Sequence, residues 1–115
     1  MLLNLSNHPS SLWTDNQKQK ALELYSEILD LPFPQISPSL DTMELDLLVE
    51  NYENKIRQIN PLAVHIMGEM TFTFRLVNRL KTLGFSCIAS TTERKTTEKN
   101  GVKTSIFEFV QFRTY

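Results

Sequence analysis

Short runs of strand character alternate with segments whose apolar residues recur at helical spacing, and this alternation constrains the fold more than any other feature of the chain. Residues 1–5, 62–67 and 85–91 read as buried strands, and residues 27–31 read as a strand stopped by Pro32 and Pro34. Between the first two strands, Ala21, Leu22, Tyr25, Ile28 and Leu29 recur at helical spacing, after a start at Thr14 or Asp15. That helix must end near Tyr25 or Ser26 for the second strand to form. Leu45, Leu48, Val49, Tyr52, Ile56 and Ile59 stripe a second helix that begins at Asp41 or Thr42 and ends at Asn60-Pro61. Phe72, Leu76, Val77 and Leu80 face inward from a third, over residues 71–83, with Gly84 just past its end.

The last part changes character. Residues 91–103 are polar, and Asn100-Gly101 is a hairpin signal. Residues 104–113 follow as a strand carrying Ile106, Phe107, Phe109, Val110 and Phe112, apolar on both faces and therefore expected to be covered on both. The order βαβαβαββ implies right-handed crossovers. The expected fold is α/β: a single three-layer Rossmann-like domain over residues 1–115. Its mostly parallel five-stranded sheet has order 2-1-3-4-5 and an antiparallel C-terminal strand. Phe72, Phe74, Phe107, Phe109 and Phe112 read as core.

A chain of 115 residues buries a core without disulfides or metals. Its formal net charge of -1 supplies no broad basic field for duplex nucleic acid, so long DNA or RNA is not the expected partner. No run approaches a membrane span, and the start has no basic n-region of a signal peptide. A single cysteine, Cys87, sits in an apolar run and reads as a core thiol. A cytoplasmic protein is expected.

In an open sheet of this order, ligands bind at the carboxyl ends of the strands where the order reverses, here between the first and third strands. The segments leaving that edge are residues 6–14, 68–71 and, one strand further, 90–95. They hold Ser6, Asn7, His8, Ser10, Ser11, Trp13, Gly68, Glu69, Thr71, Thr91, Thr92, Arg94 and Lys95. Gly68 lets backbone approach closely. The N–H groups opening the third helix favour an anion, and Thr71 either caps that helix or donates to a phosphate. Glu69 either belongs to a plain turn plus N-cap or accepts from a ribose hydroxyl or base edge. His8 either titrates as an acid or base or hydrogen-bonds in the turn before Pro9. Trp13 either staples onto the first helix or stacks on a base. Arg94 and Lys95 are either solvated hairpin charges or the cationic partners of a phosphate. His65, mid-strand, reads as a satisfied core or helix-facing histidine. Two histidines in different elements make no zinc site, and no metal or cofactor is expected.

The stretch Leu2-Leu-Asn-Leu-Ser-Asn-His-Pro-Ser-Ser11, with Trp13-Thr-Asp-Asn-Gln17 and Ile28-Leu-Asp-Leu-Pro32, resembles the start of several small CRISPR-associated proteins. These are similar in fold to CARF domains, the Rossmann-like sensors of cyclic oligoadenylate, and some stand-alone members are ring nucleases. The resemblance covers about the first third of the chain. It implies a homodimer that holds a cyclic oligonucleotide on its two-fold axis. It also implies metal-independent cleavage by attack of a ribose 2′-hydroxyl on the adjacent phosphate, leaving a 2′,3′-cyclic phosphate. On it, His8, Ser11 and Arg94 serve the chemistry. Ser6, Asn7, Ser10, Trp13, Gly68, Glu69, Thr71, Thr91, Thr92 and Lys95 hold the ligand. Two rivals stand beside it: a nucleotide sensor without chemistry, and a small nucleoside or sugar-phosphate enzyme using Glu69 with a raised pKa.

Overall fold

The computed structural model describes residues 1–115. Along the chain run β1 (Leu2–Ser6), a single 3-10 turn (Ser10–Leu12), α1 (Asp15–Tyr25), β2 (Ile28–Asp30) and α2 (Thr42–Ile59). They are followed by β3 (Ala63–Met67), α3 (Met70–Thr82), β4 (Ser86–Lys99) and β5 (Val102–Thr114). The strands form one sheet in the order β2-β1-β3-β4-β5. Only the β4–β5 pair is antiparallel; the other three pairings are parallel. The expected topology is the observed one.

Each helix starts where a side chain takes up an orphan N–H. Thr14 accepts from the Gln17 N–H, and Asp41 accepts from the Glu44 N–H at 2.8 Å. Ser26 and Asn60 take positive φ to end α1 and α2, and Gly84 does so after α3 at φ 89°. No helix is long and apolar enough to cross a membrane.

Successive strand residues point to opposite faces, so the buried runs of β1 and β3 feed two cores. Leu3, Leu5, Val64, Ile66 and Cys87 pack beneath α2 and α3, against Leu45, Val49, Ile56, Phe72, Leu76 and Leu80. Leu2, Ala63 and Ile88 pack on the opposite face with Trp13 and Ala21, beneath α1. Two helices thus cover one face and a single helix the other. Cys87 lies in the first core, where burial pushes its thiol up to about 11, which keeps it protonated.

Beyond Ser90 the structure departs from expectation. The polar segment 91–99 is not a loop. β4 continues through it, paired in register with β5 as far as the Asn100-Gly101 turn. A bulge between Thr91 and Thr92 re-aims the pair, and the hairpin leaves the body as an arm. The radius of gyration is 15.9 Å, against about 13 Å for a compact chain of this length. The arm's faces are not covered: Val102, Ile106, Phe107 and Val110 are all more than half exposed. Phe109 and Phe112, close to the body, do join the α1 side, with ring centroids 4.9 Å apart. Phe74 is likewise on the surface of α3 rather than in the core, at 69% exposure.

Candidate functional site

A crevice of about 590 Å³ opens at the carboxyl ends of β1, β3 and β4. Its floor is the α1-side face of those strands: Ser6, His65 and Ser90. Asn7, His8, Trp13 and Gln17 wall one side, and Thr92, Phe107 and Phe109 of the arm wall the other. No Lys, Arg, Asp or Glu lines it. It lies where the sheet order reverses and extends toward the arm.

Beneath this crevice the three central strands each contribute a polar residue to one hydrogen-bonded chain. Asn4 and His65 are Cα partners across β1 and β3, and Ser90 lies two residues beyond Ile88, the β4 partner of His65. The His65 ring is 2% exposed, with Nδ1 2.9 Å from Asn4 Oδ1 and Nε2 2.6 Å from Ser90 Oγ. The hydrogen-bond partners of Asn4 fix the direction of the chain. Its Nδ2 donates to the His8 carbonyl oxygen and to Asp30 Oδ1, both at 2.9 Å, and neither of those can donate in return. Asn4 Oδ1 is therefore the acceptor, taking the Ser6 hydroxyl at 2.8 Å and the His65 Nδ1–H. That places the free lone pair of His65 on Nε2, where the Ser90 hydroxyl donates to it. Gln17 Nε2 in turn donates to Ser90 Oγ at 3.0 Å.

The surroundings hold this tautomer neutral. Trp13 meets the imidazole edge-on at 5.2 Å and Phe112 does so at 5.7 Å. Burial drives the His65 pKa down to about 4. At the outer end of the chain, burial raises the Asp30 carboxyl, but hydrogen bonds from Asn4 and from the Ser10 side chain and backbone outweigh it, so its pKa lies below the ordinary value.

The residues singled out from sequence divide into two groups. Ser6, Asn7, His8, Trp13, Gly68 and Thr92 all reach the crevice. Trp13 is 6% exposed, packed with Ala21 and donating Nε1–H to the His8 carbonyl, so it is core and no stacking platform. Ser10 lies outside the crevice: its hydroxyl and N–H are both taken by Asp30. Ser11 is exposed and also outside, its carbonyl 3.4 Å from Lys18 Nζ. Thr91 donates to the Gln111 carbonyl across the hairpin. Arg94 and Lys95 belong to the arm, where Arg94 donates to Ser105 and Lys95 pairs with Glu108 at 2.9 Å. They are strand residues, because β4 does not end at Thr91.

At the Gly68 joint the structure has the turn and N-cap rather than an open anion site. Glu69 caps α3 with its own carboxylate, accepting from the N–H groups of Thr71 and Phe72 and from the Thr71 hydroxyl. The helix N-terminus is thus closed by an internal anion, and Thr71 is committed to Glu69. The N–H of Phe72, then the N–H and hydroxyl of Thr71, hold the Glu69 carboxyl below its usual range. This is opposite to the shift a Glu69 nucleophile or base requires. Gly68 admits a neighbouring ring: a Cβ there would collide with the Phe33 ring. The close approach expected of a ligand is made by Phe33.

Asn4, Gln17, Asp30 and Ser90 were not singled out, and His65 was assigned to packing. One signal pointed to them. Asn4 and His65 interrupt otherwise apolar buried strands, and parallel pairing lets such interruptions meet on one face.

A family model, that of the uncharacterized protein MJ1673 family, matches residues 1–113. No curated protein and no solved structure matches the chain.

Proposed function

The chain belongs to the uncharacterized protein MJ1673 family, and we propose that its crevice binds a nucleotide ligand of the cyclic oligoadenylate class. The observation that carries this reading is the crevice itself. It lies at the switch point of a Rossmann-like sheet, with neutral polar groups on its floor and a half-exposed aromatic, Phe107, on its rim. Amides and hydroxyls suit base edges and ribose, and a Phe face suits stacking. The likeness of the first third of the chain to small CRISPR-associated CARF-like proteins supports the choice of ligand class.

Binding is better supported than cleavage. In one copy of the chain, Arg94 and Lys95 lie on the arm and the α3 N-terminus is filled by Glu69, so no cation or free helix end faces the phosphates. On this reading the working unit is a homodimer, and ring opening depends on Arg94 or Lys95 supplied over the crevice by the arm of a second copy.

The test is calorimetry with cyclic tetra- and hexa-adenylate in EDTA, followed by mass spectrometry of the recovered ligand. Saturable binding that weakens about tenfold in Phe107→Ala, the worth of one base–aromatic stack, is the expected result. Linear products ending in 2′,3′-cyclic phosphate would extend the reading to a ring nuclease, and rings recovered intact would leave a sensor. Failure of both rings to bind would overturn it.

A further inference from the structure

We propose that Ser90 is an activated nucleophile, with His65 as its base and Asn4 as the residue that orients the base, and that the crevice takes an uncharged carboxylic ester. This goes beyond nucleotide binding and does not rest on it.

The geometry has the three relations such a site needs. Ser90 Oγ lies 2.6 Å from His65 Nε2, and His65 Nδ1 lies 2.9 Å from Asn4 Oδ1. The polarity also runs in the required direction, because Asp30 and the His8 carbonyl hold the Asn4 amide so that only its oxygen faces the ring. The base is shielded and the nucleophile is not: His65 is 2% exposed, while Ser90 is partly exposed on the crevice floor. Such a network need not end at a hydroxyl that lines a cavity, yet this one does. Gln17 supplies the remaining part. Its Nε2 donates to Ser90 Oγ at 3.0 Å in the resting site, and on this proposal the amide turns to the substrate carbonyl oxygen once Oγ bonds to the carbon. The apolar surface of Leu12, Phe107 and Phe109 beside Ser90 suits the carbon substituents of an uncharged ester.

The step balances within the site. Ser90 Oγ attacks the ester carbonyl carbon as its proton passes to His65 Nε2, and the carbonyl electrons move onto the oxygen facing Gln17. The tetrahedral centre collapses, the carbon–alkoxy bond breaks, and the departing alcohol oxygen takes the proton from Nε2. Water then attacks the acyl-Ser90 ester, gives its proton to Nε2, and Ser90 Oγ recovers it as the acid leaves.

The experiment needs no knowledge of the natural ester. The intact chain is treated with an alkyl fluorophosphonate, which forms a P–O bond at an activated serine with loss of fluoride. The adduct is counted by intact mass and placed by peptide mass spectrometry. One adduct on Ser90 is expected, absent in Ser90→Ala and formed about 100-fold more slowly in His65→Gln, the scale of a lost general base. No adduct, an adduct on another residue, or an undiminished rate in His65→Gln would overturn the proposal. Circular dichroism checks that each variant folds. Should His65→Gln unfold, the wild-type pH profile decides. The groups packed on the ring are Asn4 from β1, Ser90 from β4, Phe112 from β5 and Trp13, with Asp30 the carboxylate behind Asn4. A rate that holds from neutral pH and falls only toward about pH 4 supports His65 as the base. A rate proportional to hydroxide throughout shows an ordinary serine and overturns it.

Discussion

The β4–β5 hairpin is one continuous pair of strands with two different fates. Below the bulge at Thr91/Thr92, its residues lie in a covered sheet: Cys87 under α3, Ile88 under α1, and Phe112 against Trp13 and His65. Above it, Ile106, Phe107 and Val110 repeat the same apolar character with nothing over them. The β5 side is apolar in both halves, but below the bulge β4 pairs with β3 as well as β5, and above it with β5 alone. The halves also differ in what remains of the chain to cover them, since the three helices are spent on β1, β3 and the base of β4. An apolar strand predicts a sheet; only the count of covering elements predicts burial.

The largest effect that separates the halves is a truncation in each. Phe72→Ala, fully buried against Phe33 and Tyr52, should cost about 3–5 kcal/mol in urea unfolding. Ile106→Ala on the arm should cost under about 0.5 kcal/mol. A large loss from Ile106→Ala would mean that the arm is covered in solution, and its concentration dependence would identify a second copy as the cover.

Acid should find the crevice floor next. In the unfolded chain His65 titrates near the ordinary histidine value of 6.5, and in the folded chain at about 4. Folding therefore favours the neutral form. The contribution is whole above about pH 6.5 and is lost as pH falls toward 4, by about 3 kcal/mol in all. Urea titrations at pH 7 and pH 4 should show that loss in the wild type and a smaller one in His65→Gln. The depressed Asp30 carboxyl acts in the same direction at lower pH.

Gly68→Ala should follow at about 1–3 kcal/mol, the cost of forcing the Phe33 ring aside. Adding Phe33→Leu should recover part of it. Equal losses in the single and double variants would show that the glycine serves something other than Phe33. Glu69→Ala is the smallest, about 1 kcal/mol for a lost helix cap, read as a shift in urea midpoint without change in slope.

Much of the crevice was legible because topology places it. Ser6, Asn7, His8 and Gly68 follow from the strand order alone, since the loops leaving β1 and β3 must meet at the reversal point. Arg94 and Lys95 were misplaced because a polar Thr- and Glu-rich run looks like a loop until its partner strand is known. Glu69 stays open in the sequence between a turn with an N-cap and a ligand contact, because capping by a side chain competes with ligand binding at a helix start and sequence alone does not say which wins.

The order of strands and helices, the helix ends at Asn60 and Gly84, and the inward stripes of α2 and α3 were determined by the sequence by itself, because periodicity, capping and turn chemistry act over a few residues. Only the tertiary structure decided that Asn4, His65 and Ser90 form one directed hydrogen-bonded chain and that half of the last hairpin stands bare. Both depend on register between strands far apart in sequence, and on which surfaces remain once every helix has been placed.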